Sequence, residues 1–243
     1  MKLQLSTWPE VEQYLTRSKA IIIPIGSTEQ HGPNGLIGTD AICPEVVADG
    51  ASEQLNLLVA PTIHVGIAQH HMEFPGSMTL RPSTLIAVLV DTITSLALHG
   101  FEDLYFINGH GGNIATVRAA FSEYYSQHSL EKTPHPPARA HFRNWWDGDR
   151  VTAYRKQHFM GVEGSHATPT EVALTYYFHP TKTDNSPLQP EVAPRGRFYD
   201  AKDYREKFPD GRIGSNPALA TPTHGEKIYE AAVADFVDVL TEN

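Results

Sequence analysis

Residues 21–26 read Ile-Ile-Ile-Pro-Ile-Gly, a continuous apolar and largely β-branched run. That is the pattern of a strand buried on both faces, and such strands belong to parallel sheets covered by helices on each side. Three further strands are expected at 57–65 (LLVAPTIHV), 104–108 (LYFIN) and, more weakly, 138–145, just after Pro136 and Pro137. Between and after them lie helix patterns at 39–55, 82–99, 113–128, 168–178 and 225–240. The second of these opens on Pro82-Ser-Thr and stops before Gly100, with Leu85, Leu89, Ile93 and Leu96 keeping a helical period. Strands alternating with helices predict an α/β protein, a three-layer α/β/α arrangement around a mostly parallel central sheet. The 243 residues are expected to form one unit over 1–243. Within it, 179–224 is rich in Pro and Gly and reads as a long loop region, a lid or an oligomer contact.

Composition narrows the function. The net charge of −9 lacks the cationic face that a nucleic-acid partner requires. No apolar stretch is long enough for a membrane span, and residues 1–10 carry no secretory signal pattern. Cys43 is the one cysteine, so an intrachain disulfide and a cysteine zinc module are excluded and a cytoplasmic, reducing setting is expected. Histidine is abundant, with 13 copies, which favours metal or acid–base chemistry.

In a parallel α/β sheet, ligands gather where strand C-termini meet helix N-termini. Three clusters fall at such places. After the first strand come Gly26-Ser-Thr-Glu29-Gln-His31-Gly-Pro and Gly38-Thr-Asp40. Glu29 and His31, two apart in extended chain, share a side. With Asp40 at a helix start they make a mixed N/O donor set suited to a divalent cation. They also read as a surface acid, a loop hydrogen-bonder and a helix cap. After the third strand comes Asn108-Gly-His110-Gly-Gly-Asn113. A histidine among glycines is not a packing residue; a metal ligand is favoured over an anion cradle or a plain turn, since the spacing fits no phosphate-binding motif. The third cluster holds His166 in the loop before a helix and Glu171 in its first turn, where a carboxylate also suits the helix dipole.

Taken in order, these three clusters resemble the motifs of the creatininase (creatinine amidohydrolase) family. Phe74-Pro-Gly-Ser77 and Gly211-Arg-Ile-Gly-Ser-Asn-Pro-Ala-Leu-Ala-Thr221 resemble further family segments. The resemblance implies a creatininase-like fold, a homo-oligomer, often a hexamer, and two divalent metal ions per subunit, zinc, manganese or iron. It implies hydrolysis of a non-peptide C–N bond, an amide or cyclic amide, in a small-molecule substrate. By position, Glu29 and His110 would bind one ion, His31 the other, and Asp40 would bridge the two. His166 would act near the substrate as proton donor or acceptor, with the ordinary imidazole pKa suiting it to protonate the leaving nitrogen. Trp146, in Asn-Trp-Trp-Asp147, resembles the family aromatic that covers the ligand.

One departure bears on the substrate. Creatininase proper carries a ligand glutamate two residues after the metal histidine, and here that place is Gly112. Glu171 is the candidate to replace it as metal ligand or to orient the water. The Gly-Gly form resembles the wider family, with deformylase-type and maturation-peptidase members, so a deformylase or peptidase is the alternative activity. A non-catalytic metal-binding oligomer is a third reading. His70 and His71 read equally as pocket-lining or loop residues, and His64 as a satisfied polar group at the end of a core strand.

Overall fold

The computed structural model describes residues 1–131 and 136–241; the expected unit over 1–243 also takes in 132–135 and 242–243, which lie outside the described residues. Along the chain stand α1 (Trp8–Leu15), β1 (Ala20–Ile25), α2 (Thr39–Leu55), β2 (Leu58–Val59), α3 (Pro82–Leu98) and β3 (Asp103–Asn108). They are followed by α4 (Ile114–Glu131), β4 (Arg139–Asn144), α5 (Asp149–His158), α6 (Pro169–Phe178), α7 (Ala201–Lys207) and α8 (Pro222–Thr241).

The strands form a sheet in the order β2-β1-β3-β4, with every neighbouring pair parallel. Ile21, Ile22, Ile23 and Ile25 are all fully buried. The pleat sends Ile21, Ile23 and Ile25 into a core with Tyr14 of α1, Leu85 and Leu89 of α3 and Val117 of α4. Ile22 points the other way, to Val47 of α2, Val151 of α5, Val172 of α6 and Phe236 of α8. The result is the expected three-layer α/β/α architecture. Each buried isoleucine contributes on the order of 2 kcal/mol of transfer free energy, which is why the central strands need apolar residues on both faces.

The second strand is shorter than the sequence pattern suggests. Only Leu58 and Val59 are strand residues; the Ala60 N–H still donates to the Ile22 carbonyl, and the regular ladder ends before Pro61. Contact with β1 resumes beyond it, where the Ile63 N–H donates to the Pro24 carbonyl and the Gly26 N–H donates to the Ile63 carbonyl. His64 consequently lies at the surface, 3.6 Å from Glu45, and not in the core. Residues 179–224 contain α7, short turns and the start of α8, which begins at Pro222, three residues before the position expected from the sequence. Phe198, Tyr204, Phe208 and Ile213 from this stretch form a small apolar cluster with Phe74.

Two glycines set the position of α2. A Cβ on Gly26, just after β1, or on Gly109, just after β3, would collide with the backbone carbonyl of Asp40. The first turn of α2 is thus pressed against the ends of the two central strands, and Asp40 is delivered to the point where they finish.

Candidate active site at the carboxyl ends of the central strands

Asp40 lies between two imidazoles. Its Oδ1 is 3.0 Å from His31 Nε2 and its Oδ2 is 2.8 Å from His110 Nδ1. The far nitrogen of each ring is held by a backbone carbonyl: His31 Nδ1 lies 3.1 Å from the Glu29 carbonyl and His110 Nε2 lies 2.8 Å from the Ile67 carbonyl. A carbonyl only accepts, so each of those nitrogens donates. In the neutral rings this leaves one lone pair on His31 and one on His110, on either side of the Asp40 carboxylate.

Glu29, fully buried, lies beside this group. Its Oε2 accepts from the Ser27 hydroxyl at 2.8 Å and lies 3.2 Å from His110 Nε2. Its Oε1 is 3.0 Å from His71 Nε2 and 3.9 Å from His166 Nδ1. Glu171, in the first turn of α6, brings Oε1 to 4.0 Å from His31 Nε2. The same oxygen accepts the Thr168 N–H at 2.6 Å in a capping box, so Glu171 is both a helix cap and a site-facing acid.

The loop ends are tied by asparagines. The Asn108 amide donates to the His110 carbonyl at 2.7 Å and to Asn144 Oδ1 at 2.8 Å. Asn113 donates to the Gly26 carbonyl at 2.9 Å and accepts from the Ile67 N–H at 2.9 Å. The His110 loop is therefore fastened to the ends of β1 and β4 and to the chain before α3. Gln30 does the same for two histidines. His166 Nε2 lies 2.8 Å from the Gln30 carbonyl and so donates to it, leaving Nδ1 unprotonated in the neutral ring. The Gln30 side-chain amide is then free to donate to His71 Nδ1 at 2.9 Å and to the Gly211 carbonyl at 3.0 Å.

Buried carboxylates and imidazoles perturb each other. Burial pushes the His31 imidazole down, but the Asp40 carboxylate, with Glu171 and Glu29, outweighs it and raises the pKa to about 10. Burial acts likewise on His110, and Glu29 and Asp40 carry it up to about 9. Burial raises Glu171 to about 7, against the pull of His31. His166 goes the other way: burial, His71 and His31 all hold it well below the ordinary 6.5. At neutral pH it is a neutral imidazole, without the protonated fraction that an ordinary histidine would offer as a proton donor. Burial, with His71 and His110, lowers His70 to about 3.

The donors fit a divalent cation. Three overlapping sets, Glu29 with His31 and Asp40, with His70 and His110, and with His71 and His166, each place one nitrogen or oxygen per side chain within 4.8 Å of the others. Glu29 Oε1 and Asp40 Oδ2 are buried yet find no hydrogen-bond geometry among the described residues, as oxygens left for a cation would. His70 and His71, left open by the sequence, are thus part of the cluster. The place of the missing glutamate is closed: a Cβ on Gly112 would meet His110 Nε2 and stand 2.6 Å from the Ile67 carbonyl, breaking the bond that orients His110.

A cavity of about 470 Å³ opens over the cluster. Asp40, His110, His166 and Glu171 line it, with Trp146 and Arg155 among the remaining wall residues. Trp145 is buried in the core and Trp146 is half-buried beside it. Phe198, Tyr204 and Ile213 bring the 179–224 segment to the rim, a contribution that its irregular sequence did not reveal.

Comparison with known proteins follows the same lines. The family model described as creatinine amidohydrolase matches residues 4–240. A creatinine amidohydrolase of Pseudomonas putida is 24% identical over 249 residues, covering 97% of this chain and 94% of the relative. A mycofactocin precursor peptide peptidase of Mycolicibacterium smegmatis is 35% identical over 106 residues, 41% of this chain and 42% of the relative. A solved structure described as creatininase with Mn superposes with a TM-score of 0.86 at 24% identity, covering 99% of this chain and 97% of that one, which shows the shared fold. With its family model spanning nearly all of the sequence, the chain belongs to the creatininase family of amidohydrolases.

Proposed function

We propose that this protein is a metal-dependent hydrolase that cleaves a non-peptide C–N bond, an amide or cyclic amide, in a small molecule, with two divalent ions sharing Asp40. The observation that carries this is the flanking of Asp40 Oδ1 and Oδ2 by His31 Nε2 and His110 Nδ1, each ring held from behind by a carbonyl. Glu29 and His110 would serve one ion, and His31 with Glu171 the other. Zinc, manganese and iron(II) all suit such donors. Bound divalent ions supply a Lewis acid that activates water and polarises the amide carbonyl.

The chain's own residues would handle the proton. His166, neutral and with Nδ1 free, accepts the proton released as water attacks and passes it to the leaving nitrogen. Trp146 would cover the bound amide. The homo-oligomer, a hexamer in the family pattern, and the cytoplasmic setting belong to the same proposal. So does the reading of 1–243 as one unit, with 179–224 as a lid or subunit contact.

A deformylase or peptidase activity is the second reading. It is favoured by Gly112, which stands where creatininase proper carries its glutamate, and by the likeness to a mycofactocin precursor peptide peptidase.

Elemental analysis of the purified protein and of Asp40→Ala tests the metal site. Both ions are expected in the first and neither in the second; two ions retained by Asp40→Ala would refute the bridge. His166→Ala is expected to keep its metal and lose turnover. A panel of lactams, formamides and short peptides separates the two activities.

A further inference from the structure

Arg155 is the sole lysine or arginine in the cavity wall. It is half-buried near the end of α5 and makes no ion pair among the described residues. The one described hydrogen bond of its guanidinium is a long one of 3.5 Å to the Thr152 hydroxyl. By contrast, Arg139, Arg150 and Arg212 each hold a carboxylate. Glu163, on the same wall, interacts with Arg155 only through space: the guanidinium pulls its raised pKa down, but its Oε2 accepts the Thr170 hydroxyl at 2.8 Å and no ion pair forms. Nor is Arg155 needed to balance the dipole at the end of α5, since Lys156 and His158 stand in that last turn as well. A guanidinium can only donate. One without an ion pair beside a cavity calls for an acceptor, and its fork matches a carboxylate or phosphate.

We propose that this wall is an anion subsite and that the substrate is an amide bearing a carboxylate or phosphate, received by Arg155. The inference rests on the amidohydrolase reading of the same cavity and adds the charge of the molecule that enters it.

Calorimetric titration of the metal-loaded protein with three amides of similar size tests it: succinamate, 3-phosphonopropanamide and uncharged succinamide. At least one anion is expected to bind about tenfold tighter than succinamide, the scale of one charge-assisted contact. The better-bound anion identifies the oxyanion. Arg155→Gln is expected to abolish the preference while leaving succinamide affinity and metal content unchanged, and Arg155→Lys to keep part of it. Equal binding of all three, no binding of either anion at millimolar concentration, or a preference that survives in Arg155→Gln would overturn the subsite. The last result would assign the anion to the metal ions. Failure of the hydrolase reading shows separately, as absence of turnover of any lactam, formamide or short peptide by the metal-loaded protein.

Discussion

His31 and His110 connect protonation to metal binding. Without metal, their pKa values of about 10 and about 9 mean that both are imidazolium at neutral pH, balanced by Asp40 and Glu29. Relative to the ordinary 6.5, a raised pKa stabilises the folded metal-free protein below about pH 6.5, and that contribution is lost as pH rises through 9 to 10. Glu171, raised from 4.5 to about 7, acts in the same direction at lower pH, since burial favours its protonated form and the advantage is lost as pH climbs from 4.5 through 7. Metal ligation needs all three groups deprotonated. The metal-free protein is therefore expected to lose stability between pH 6.5 and 10, while metal affinity climbs over the same range. Calorimetry in buffers of different ionisation enthalpy should register proton release on metal uptake at pH 7. Uptake without proton release would disprove the assignment of His31 and His110 as ligands. These residues were legible as types at strand ends. The exchange between them was not, because it depends on which carbonyl lies behind each ring, and Ile67 is 43 positions from His110.

At the scale of elements, the centre depends on close approach. Gly26 and Gly109 let the first turn of α2 rest on the ends of β1 and β3, and any side chain there meets the Asp40 carbonyl. Gly109→Ala is expected to cost about 1–3 kcal/mol by overpacking and to displace Asp40. Chemical denaturation checks the first effect and metal content the second; a variant with unchanged stability and full metal would show that the helix can retreat freely. The central strands and α2, α3, α4, α6 and α8 were readable from apolar runs and periods. α1, α5 and α7 were not. α1 keeps Val11, Tyr14 and Leu15 on one face but is only 8 residues long, while α5 and α7 each bury a single residue, Val151 and Tyr204, and so carry little hydrophobic pattern. Two of them are fixed by caps instead: Glu10 accepts the Thr7 N–H at 2.7 Å, and Asp200 accepts the Asp203 N–H at 2.9 Å. Cap signals of this kind are too short to outweigh a polar composition.

At the scale of the molecule, the ligand candidates span residues 29 to 171, drawn from the ends of β1 and β3, the start of α2, the turn before α3 and the start of α6. A cation held there ties both helical layers to the sheet. In its absence the same place holds buried carboxylates and imidazoliums, which burial alone would expel. Chelation is therefore expected to lower the melting temperature of the whole protein, since the unfolded chain keeps no such site. A free metal concentration near 100 times Kd would contribute about 2.7 kcal/mol per ion, equivalent to roughly 5–10 °C for a chain of this size. Re-addition of zinc or manganese should restore the transition in proportion to the logarithm of free metal. Asp40→Ala should melt at a temperature independent of metal, because the residue that both ions would share is gone. Equal metal-induced shifts in wild type and Asp40→Ala would place the stabilising ion elsewhere and remove the centre on which the proposed chemistry depends.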